Sequence, residues 1–188
     1  MSDSAKIITG CWLAFIGYWA ISAWWGKRVA ERQSWTGILA NRVPTFVGAL
    51  LLFLRKLPYP LEVQVLPHSA ATADLGAALC LLGVFSAIWS RITLGRNWSS
   101  DVVFKQNHEL IERGPYRFVR HPIYTSILTM CLGSALAVNR LGSWLGLPLI
   151  LLGFWIKSRQ EEALLTRHFP AEYPAYRKRV KALIPFVL

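Results

Sequence analysis

Residues 108–124 hold most of the side chains in this chain whose types and spacing could do chemistry. Basic residues without an intervening acid crowd into nine positions of this segment: Arg113, Arg117, Arg120 and His121. Gly114-Pro115 predicts a tight turn, and Pro122 fits the first turn of the apolar helix that follows. Free backbone N–H groups at a helix N-terminus attract anions. The segment therefore suits a small anionic or zwitterionic ligand; the alternative is a solvated loop with a positive-inside bias.

A second group of candidates follows the last long apolar run. Glu161 and Glu162 stand close to lipid, where a carboxylate is costly unless it is paired. Lys157 and Glu161 are spaced i, i+4, so they can pair on one helical face. This spacing fits either a catalytic pair or a surface ion pair worth under ~1 kcal/mol.

The aromatic and imidazole candidates also have structural alternatives. His121 and Tyr124 are three residues apart on one helical face, where they can bind a ligand or lock a helix start at the membrane surface. Tyr116 offers a ring for stacking and a hydroxyl for hydrogen bonding, or it can be an interfacial anchor. His108 can contact a ligand or be a loop histidine followed by two apolar anchors.

Composition indicates the kind of protein that must position these residues. The chain has 188 residues, of which 54% are hydrophobic, and this predicts one domain of an integral membrane protein. Nine Trp and six Tyr fit aromatic belts at the two interfaces. A net charge of +11 would also suit nucleic acid, but the basic residues fall between apolar runs and not along one soluble face. We therefore expect no nucleic-acid partner.

Five apolar runs predict an all-α fold of about five transmembrane helices. They cover residues 7–25, 43–57, 73–92, 122–138 and 141–156. The second run is short and ends in Arg55-Lys56, so it is a tilted span with snorkelling bases or a re-entrant segment, of which we favour the span. Residues 58–68, with three prolines, form a connector. A short turn at Asn139-Arg140 makes the last two helices an antiparallel hairpin.

The distribution of basic residues predicts the orientation of these helices. With the N-terminus outside, all but four of the 21 Lys and Arg residues lie on the cytoplasmic side. The four exceptions are Lys6, Arg55, Lys56 and Arg140. This topology places the 108–124 segment and Glu161 together on the cytoplasmic face, where soluble cofactors are found.

Two common types of site are not indicated. Cys11, Cys80 and Cys131 lie in apolar runs without partners at metal-ligand spacing, so we predict neither a disulfide nor a metal site. No GxGxxG follows a strand pattern, so an α/β nucleotide-binding fold is not supported.

Three separated blocks in the C-terminal half occur in the order typical of one family of membrane enzymes. They are Leu94-Gly95-Arg96-Asn97-Trp98-Ser99, the 108–124 segment, and Glu161-Glu162-Ala163-Leu164-Leu165 followed by Phe169, Glu172-Tyr173, Tyr176, Val180 and Ile184-Pro185. Over about residues 89–186 the chain resembles the isoprenylcysteine carboxyl methyltransferases, which use S-adenosylmethionine. Phospholipid methyltransferases and NADPH-dependent sterol reductases carry a similar loop.

The resemblance implies where the cofactor binds and which residues act. The implied cofactor-binding residues are His108, Leu110, Ile111, Tyr116, His121, Pro122 and Tyr124, with Leu110 and Ile111 lining the adenine pocket. The implied catalytic residues are Glu161 and Lys157. The family carries Arg, credited with substrate binding, at the position of Lys157, and Lys lacks the bidentate fork of Arg.

We therefore expect residues 1–188 to form one membrane methyltransferase domain. It would transfer a methyl group from S-adenosylmethionine to a lipophilic acceptor from the bilayer, and the family favours the carboxylate of an isoprenylcysteine-like thioether. The alternatives are a phospholipid-amine or small-thiol methyltransferase, an NADPH-dependent sterol-type reductase, which would carry more spans, and a non-enzymatic scaffold that binds anionic lipid.

Overall fold

The computed structural model describes residues 2–22, 29–32, 35–67, 69–98, 103–105 and 109–184. In these residues the α-helices are α1 (Asp3–Ser22), α2 (Trp35–Phe53), α3 (Ala70–Leu94), α4 (Pro122–Val138), α5 (Leu141–His168) and α6 (Glu172–Arg179). Two short strands, β1 (Val29–Arg32) and β2 (Val103–Lys105), pair antiparallel. Gly95–Asn97 and Gly114–Arg117 form single 3₁₀ turns. The predicted all-α class is confirmed, with this small ribbon added outside the helices.

Three of the helices are long and apolar enough to cross a membrane, namely α1, α3 and α5. The apolar part of α2, Gly37–Phe53, and the whole of α4 are shorter. The predicted start of the second span at residue 43 was wrong: α2 begins at Trp35 and continues through Pro44. Proline is tolerated inside membrane helices, where neighbouring groups satisfy the freed carbonyl. Because α2 ends at Phe53, the Arg55-Lys56 pair lies beyond the helix.

The last long helix continues well past its apolar part. We expected the apolar fifth span to reach about residue 156 and Glu161, Glu162 and Arg167 to lie on a helix after it; in the structure both parts belong to one helix, α5, which runs unbroken to His168. Most residues of this continuation are good helix formers, namely Lys, Arg, Gln, Glu, Ala and Leu, so loss of hydrophobicity does not end the helix. Lys157 and Glu161 therefore lie on one rigid helix, as their spacing predicted.

Two helix pairs pack with their backbones in direct contact. A Cβ atom on Gly76 of α3 would lie 2.4 Å from the carbonyl oxygen of Gly133 in α4. A Cβ atom on Gly146 of α5 would lie 2.5 Å from the carbonyl oxygen of Gly48 in α2. Such small-residue contacts are the usual way in which membrane helices approach closely. They fix α4 to α3 and α5 to α2.

The predicted hairpin turn between α4 and α5 is confirmed. Asn139 caps α4 in the left-handed conformation, with φ 51°. Its amide group accepts from the Leu66 backbone N–H at 3.0 Å and donates to the Leu66 carbonyl at 2.6 Å. The proline-rich connector is thereby tied to the hairpin, and the opposite ends of α4 and α5 carry the polar residues of interest.

Candidate active site

The turn that precedes α4 has the geometry that Gly114-Pro115 predicted. Gly114 has φ 59°, which an L side chain rarely adopts, and a Cβ there would lie 3.1 Å from Thr93 Oγ1. Pro115 and Tyr116 are buried by the packing of this turn on the end of α3. A few residues after this turn, His121 is the N-cap of α4.

The imidazole of His121 lies between two carboxylates of α5. Its Nδ1 is 3.4 Å from Glu161 Oε2, and its Nε2 is 3.2 Å from Glu162 Oε1. Burial by itself lowers the pKa of His121, but hydrogen bonds to Glu161 and then Glu162 outweigh burial and raise that pKa above its usual value. The site therefore favours an imidazolium with both N–H groups directed at acids.

Tyr124 connects His121 to the apolar part of the bundle. Its ring stacks on His121 with centroids 5.5 Å apart and on Phe154 at 4.8 Å, both at an interplanar angle of 10°. Its hydroxyl donates to Glu161 Oε1 at 2.5 Å. Lys157 Nζ lies 5.4 Å from the centre of the same ring. His121, Tyr124, Lys157 and Glu161 thus form one cluster, which we call the α4–α5 cluster.

The buried Tyr116 adjoins this cluster. Burial and then the charge of Glu161 raise the pKa of its phenol, so the phenol stays protonated. Its backbone carbonyl accepts from the Tyr176 hydroxyl at 2.5 Å. Tyr116 and His121 are each only 7% exposed.

The backbone amides before α4 do not serve as an anion site. The N–H groups of Arg120 and His121 donate to the carbonyls of Lys181 and Ala182, at 2.8 and 3.0 Å. Thr125 Oγ1 donates to the Leu183 carbonyl at 2.6 Å. Residues 181–183 thus occupy the position that the sequence suggested for an anion.

The other predicted cofactor-binding residues lie on or before the same turn. Pro122 is buried at the first position of α4. Leu110 and Ile111 are half-buried in the stretch that leads to Gly114. His108 lies outside the described residues, so its predicted role stays a prediction.

Several residues with prominent contacts were not assigned a role from the sequence. They are Arg120, Phe154, Glu162 and Tyr176. Arg120 was noted in the basic segment and Glu162 in the acidic pair, and both occur with Tyr176 in the family blocks, but none of the three was given a contact. Phe154 looks like an ordinary apolar position until the fold brings it to the cluster.

An apolar region adjoins the α4–α5 cluster. Buried Ile123, Tyr124, Ala182 and Leu183 pack there against partly buried side chains, listed in order along the chain as Trp19, Leu94, Trp98, Ile127, Leu128, Phe154 and Trp155. Trp19 meets Trp98 edge to face, with centroids 6.3 Å apart. A polar centre beside an aromatic wall suits a ligand that has a charged group and a large apolar part.

Metal chemistry finds no support among the residues that the structure describes. They contain no group of three or more His, Cys, Asp or Glu residues that could hold an ion. Cys11, Cys80 and Cys131 are free and buried.

Fold and site define a helical membrane protein with a polar centre where α4 begins and α5 leaves the apolar bundle. The sequence model described as phospholipid methyltransferase matches residues 72–172. The chain belongs to this family of membrane methyltransferases, and the predicted resemblance to its isoprenylcysteine carboxyl methyltransferase members is confirmed.

Individual relatives agree with this assignment. The chain is 30% identical over 132 residues to the protein-S-isoprenylcysteine O-methyltransferase of Saccharomyces cerevisiae, covering 67% of this chain and 55% of that protein. It is 34% identical over 119 residues to the enzyme of the same name from Schizosaccharomyces pombe, covering 62% and 50%. The chain therefore spans about half the length of these relatives.

A solved structure shows a similar fold. It is that of a eukaryotic intramembrane Ras methyltransferase, isoprenylcysteine carboxyl methyltransferase, with a TM-score of 0.52 and 21% identity. The match covers 81% of this chain and 52% of that one.

Proposed function

We propose that this protein transfers a methyl group from S-adenosylmethionine to the carboxylate of a lipophilic acceptor, such as an isoprenylcysteine-like thioether. The observation that carries the proposal is the α4–α5 cluster, in which His121, Tyr124, Lys157 and Glu161 meet beside an aromatic wall. The names of the relatives support the same reaction. A lipophilic acceptor would reach the wall from the bilayer.

The residues present fit the proposed cofactor. S-adenosylmethionine supplies an electrophilic methyl group on a sulfonium cation. Glu161 offers a carboxylate that is 23% exposed, and Tyr124 offers a ring face, both of which favour cations. Tyr116 and His121 would orient the polar end, and Pro122 would shape the turn. Leu110 and Ile111, with His108, would line the adenine end.

Methyl transfer from a sulfonium needs little general acid–base catalysis. It requires a nucleophile held in line with the methyl carbon and shielded from water. We propose that Lys157 holds the acceptor's carboxylate and that Glu161 orients that lysine from one turn further along α5. Both contact Tyr124, so the tyrosine would fix their separation.

The proposed orientation places this reaction at the cytoplasmic membrane surface. The charge distribution favours an N-terminus outside and a C-terminus inside. Lys157, Glu161 and the turn at Gly114 lie at one end of the bundle, and Asn139 lies at the other end of α4. The cofactor would then enter from the cytosol and the acceptor from the bilayer.

A second candidate function is methylation of a phospholipid amine. The description of the matching family favours it, and Glu161 would attract an amine or accept its proton. The cation of Lys157 would repel a protonated amine, and this favours the carboxylate acceptor.

Cofactor binding and acceptor choice are tested on purified protein in detergent. Calorimetry should show binding of S-adenosylhomocysteine and not of NADPH; tight NADPH binding would replace the proposal with a reductase. Methyl transfer from labelled cofactor is then measured with a farnesylated cysteine thioether and with a phospholipid amine. Transfer to the thioether carboxylate is expected, and Glu172→Gln, an exposed acid on α6, serves as the matched control for Glu161→Gln.

A further inference from the structure

Glu162 makes contacts that its neighbour Glu161 does not make. Its side chain is 3% exposed, and one oxygen, Oε1, receives Arg120 Nε at 2.9 Å and Nη2 at 2.5 Å. His121 Nε2 lies 3.2 Å from the same oxygen. The carboxylate is thus engaged by charged partners from the residues that precede α4.

Arg120 extends this contact to the end of the chain. Its Nη1 donates to the carbonyl of Val180 and, at 3.3 Å, to that of Arg177. Its backbone N–H bonds Lys181, as described above. We call residues 177–183 the C-terminal segment. One arginine therefore joins α5, the start of α4 and this segment.

The C-terminal segment and α6 lie against the turn that is proposed to bind the cofactor. The Tyr176 hydroxyl holds the Tyr116 carbonyl, and Arg179 pairs with Glu112 at 2.8 Å. Arg177 Nε lies 3.7 Å from Glu162 Oε2, an oxygen that accepts no hydrogen bond in the described structure. Glu162 of α5 thus contacts Arg120 and Arg177, and these two arginines connect it to the C-terminal segment and α6.

Glu161 is placed differently, although it is the adjacent residue. It is 23% exposed against 3% for Glu162, and its partners Tyr124 and His121 belong to the α4–α5 cluster. A residue spacing of one turns the two side chains about 100° apart on the helix, because an α-helix has 3.6 residues per turn. One acid therefore faces the site and the other faces its cover.

We propose that Glu162 is a positioning residue that acts through Arg120. It holds the C-terminal segment and the His121 ring in the arrangement that binds the cofactor, and it leaves Glu161 as the carboxylate that meets ligands. The inference rests on the proposed function and deepens it, because it assigns different tasks to two adjacent acids. Removing one member of a buried ion pair leaves an uncompensated charge, so loss of Glu162 should release Arg120.

The test compares Glu162→Gln, which keeps the shape and removes the charge, with Glu162→Asp, which keeps the charge. Glu172→Gln is the matched control, since it removes an exposed acid nearby. Each protein is checked for a monodisperse folded state in detergent. Three quantities are then measured: the Kd for S-adenosylhomocysteine, the KM for the farnesylated thioether, and the rate at which trypsin releases the chain end after Arg177, Lys178 or Arg179.

We expect Glu162→Gln to raise the Kd at least tenfold and to speed the trypsin release, while the KM for the thioether changes less than twofold. Glu162→Asp should recover most of the affinity, and Glu172→Gln should match the wild type. If Glu162→Gln does not fold, the same three measurements are made on Arg120→Lys. This variant keeps the positive charge and loses the guanidinium group that donates several hydrogen bonds.

Two results would overturn the assignment. Unchanged affinity and unchanged trypsin release in Glu162→Gln would show that the ion pair does not position the site. An increased KM with unchanged Kd would show that Glu162 meets the acceptor itself. If the wild type binds no S-adenosylhomocysteine, the proposed function fails, and the trypsin release still decides whether Glu162 holds the segment.

Discussion

At the residue scale, Tyr124 is the side chain on which the α4–α5 cluster converges. Its hydroxyl binds Glu161, its ring lies between His121 and Phe154, and Lys157 approaches the ring. The hydroxyl and the ring make separate contributions, because stacking survives removal of the hydroxyl. Tyr124 can therefore be changed without disturbing the packing of α4 on α5.

Tyr124→Phe should weaken binding of S-adenosylhomocysteine about tenfold. The change removes one hydrogen bond to a carboxylate, an interaction worth roughly 1.5 kcal/mol, and lets Glu161 move. Tyr59→Phe is the control, since Tyr59 is 87% exposed in the connector. Calorimetric affinity equal to the wild type in Tyr124→Phe would remove Tyr124 from the cofactor site.

Substitutions of Lys157 and Glu161 separate the two acceptor classes. If the acceptor is a carboxylate, Lys157→Ala should raise its apparent KM and Lys157→Arg should preserve activity, because either cation binds a carboxylate. If it is an amine, Lys157→Ala should be neutral and Glu161→Gln the damaging change. Steady-state kinetics with both acceptors decide between them. Full activity in all three variants would leave only a surface ion pair.

The raised pKa of His121 makes stability depend on pH in a defined direction. A histidine whose folded pKa exceeds its unfolded value of about 6.5 contributes stability that is complete below that value and lost as pH rises through the folded pKa. The groups that face it are Glu161 and Glu162 of α5 and Tyr124 of α4. The Tm in detergent should therefore fall as the pH rises above about 6.5. His121→Gln should flatten this part of the profile, and a wild-type Tm that stays constant or rises there would contradict it.

At the element scale, apolar runs predicted which helices exist better than where they end. The α4–α5 hairpin was predicted because Pro122 and Asn139-Arg140 mark its boundaries chemically. The start of α2 was missed because Pro44 does not stop a helix that its neighbours support. The pairing of Arg120 with Glu162 joins residues 42 apart, and it depends on how α4 sits against α5, which no local pattern encodes.

The space around each glycine predicts different effects on stability for a substitution in the α3–α4 contact and for one in α1. Gly76→Ala should destabilise the protein by roughly 1–3 kcal/mol, because its Cβ would meet the Gly133 carbonyl at 2.4 Å. Gly10→Ala in α1 should be neutral or stabilise by up to ~1 kcal/mol, since nothing lies within 4 Å and Ala favours helix. Thermal unfolding in detergent compares the two. Equal Tm values would mean that α3 and α4 do not pack through their glycines.

At the scale of the whole molecule, the contacts divide between the two ends of the bundle. One end collects the turn at Gly114, the α4–α5 cluster and the C-terminal segment. The other holds the connector, where Leu141 and Gly142 N–H groups donate to the Val63 and Leu61 carbonyls at 2.8 Å. The sequence predicted this division from the charges alone, because bases gather at the site end. Labelling from the two sides of the membrane is the measurement that assigns each end to one side.

Single-cysteine labelling in a protein lacking Cys11, Cys80 and Cys131 makes that measurement. We expect Cys at position 113, exposed in the site-end turn, to react with a membrane-impermeant maleimide only after the cells are opened. Cys at position 59 should react in sealed cells, because Tyr59 is exposed in the connector at the opposite end. The positive-inside rule predicts that the end with position 113 is cytoplasmic, because most of the Lys and Arg residues lie at that end. Reaction of position 113 from outside sealed cells would reverse the orientation, and the cofactor would then have to reach the α4–α5 cluster from the external side.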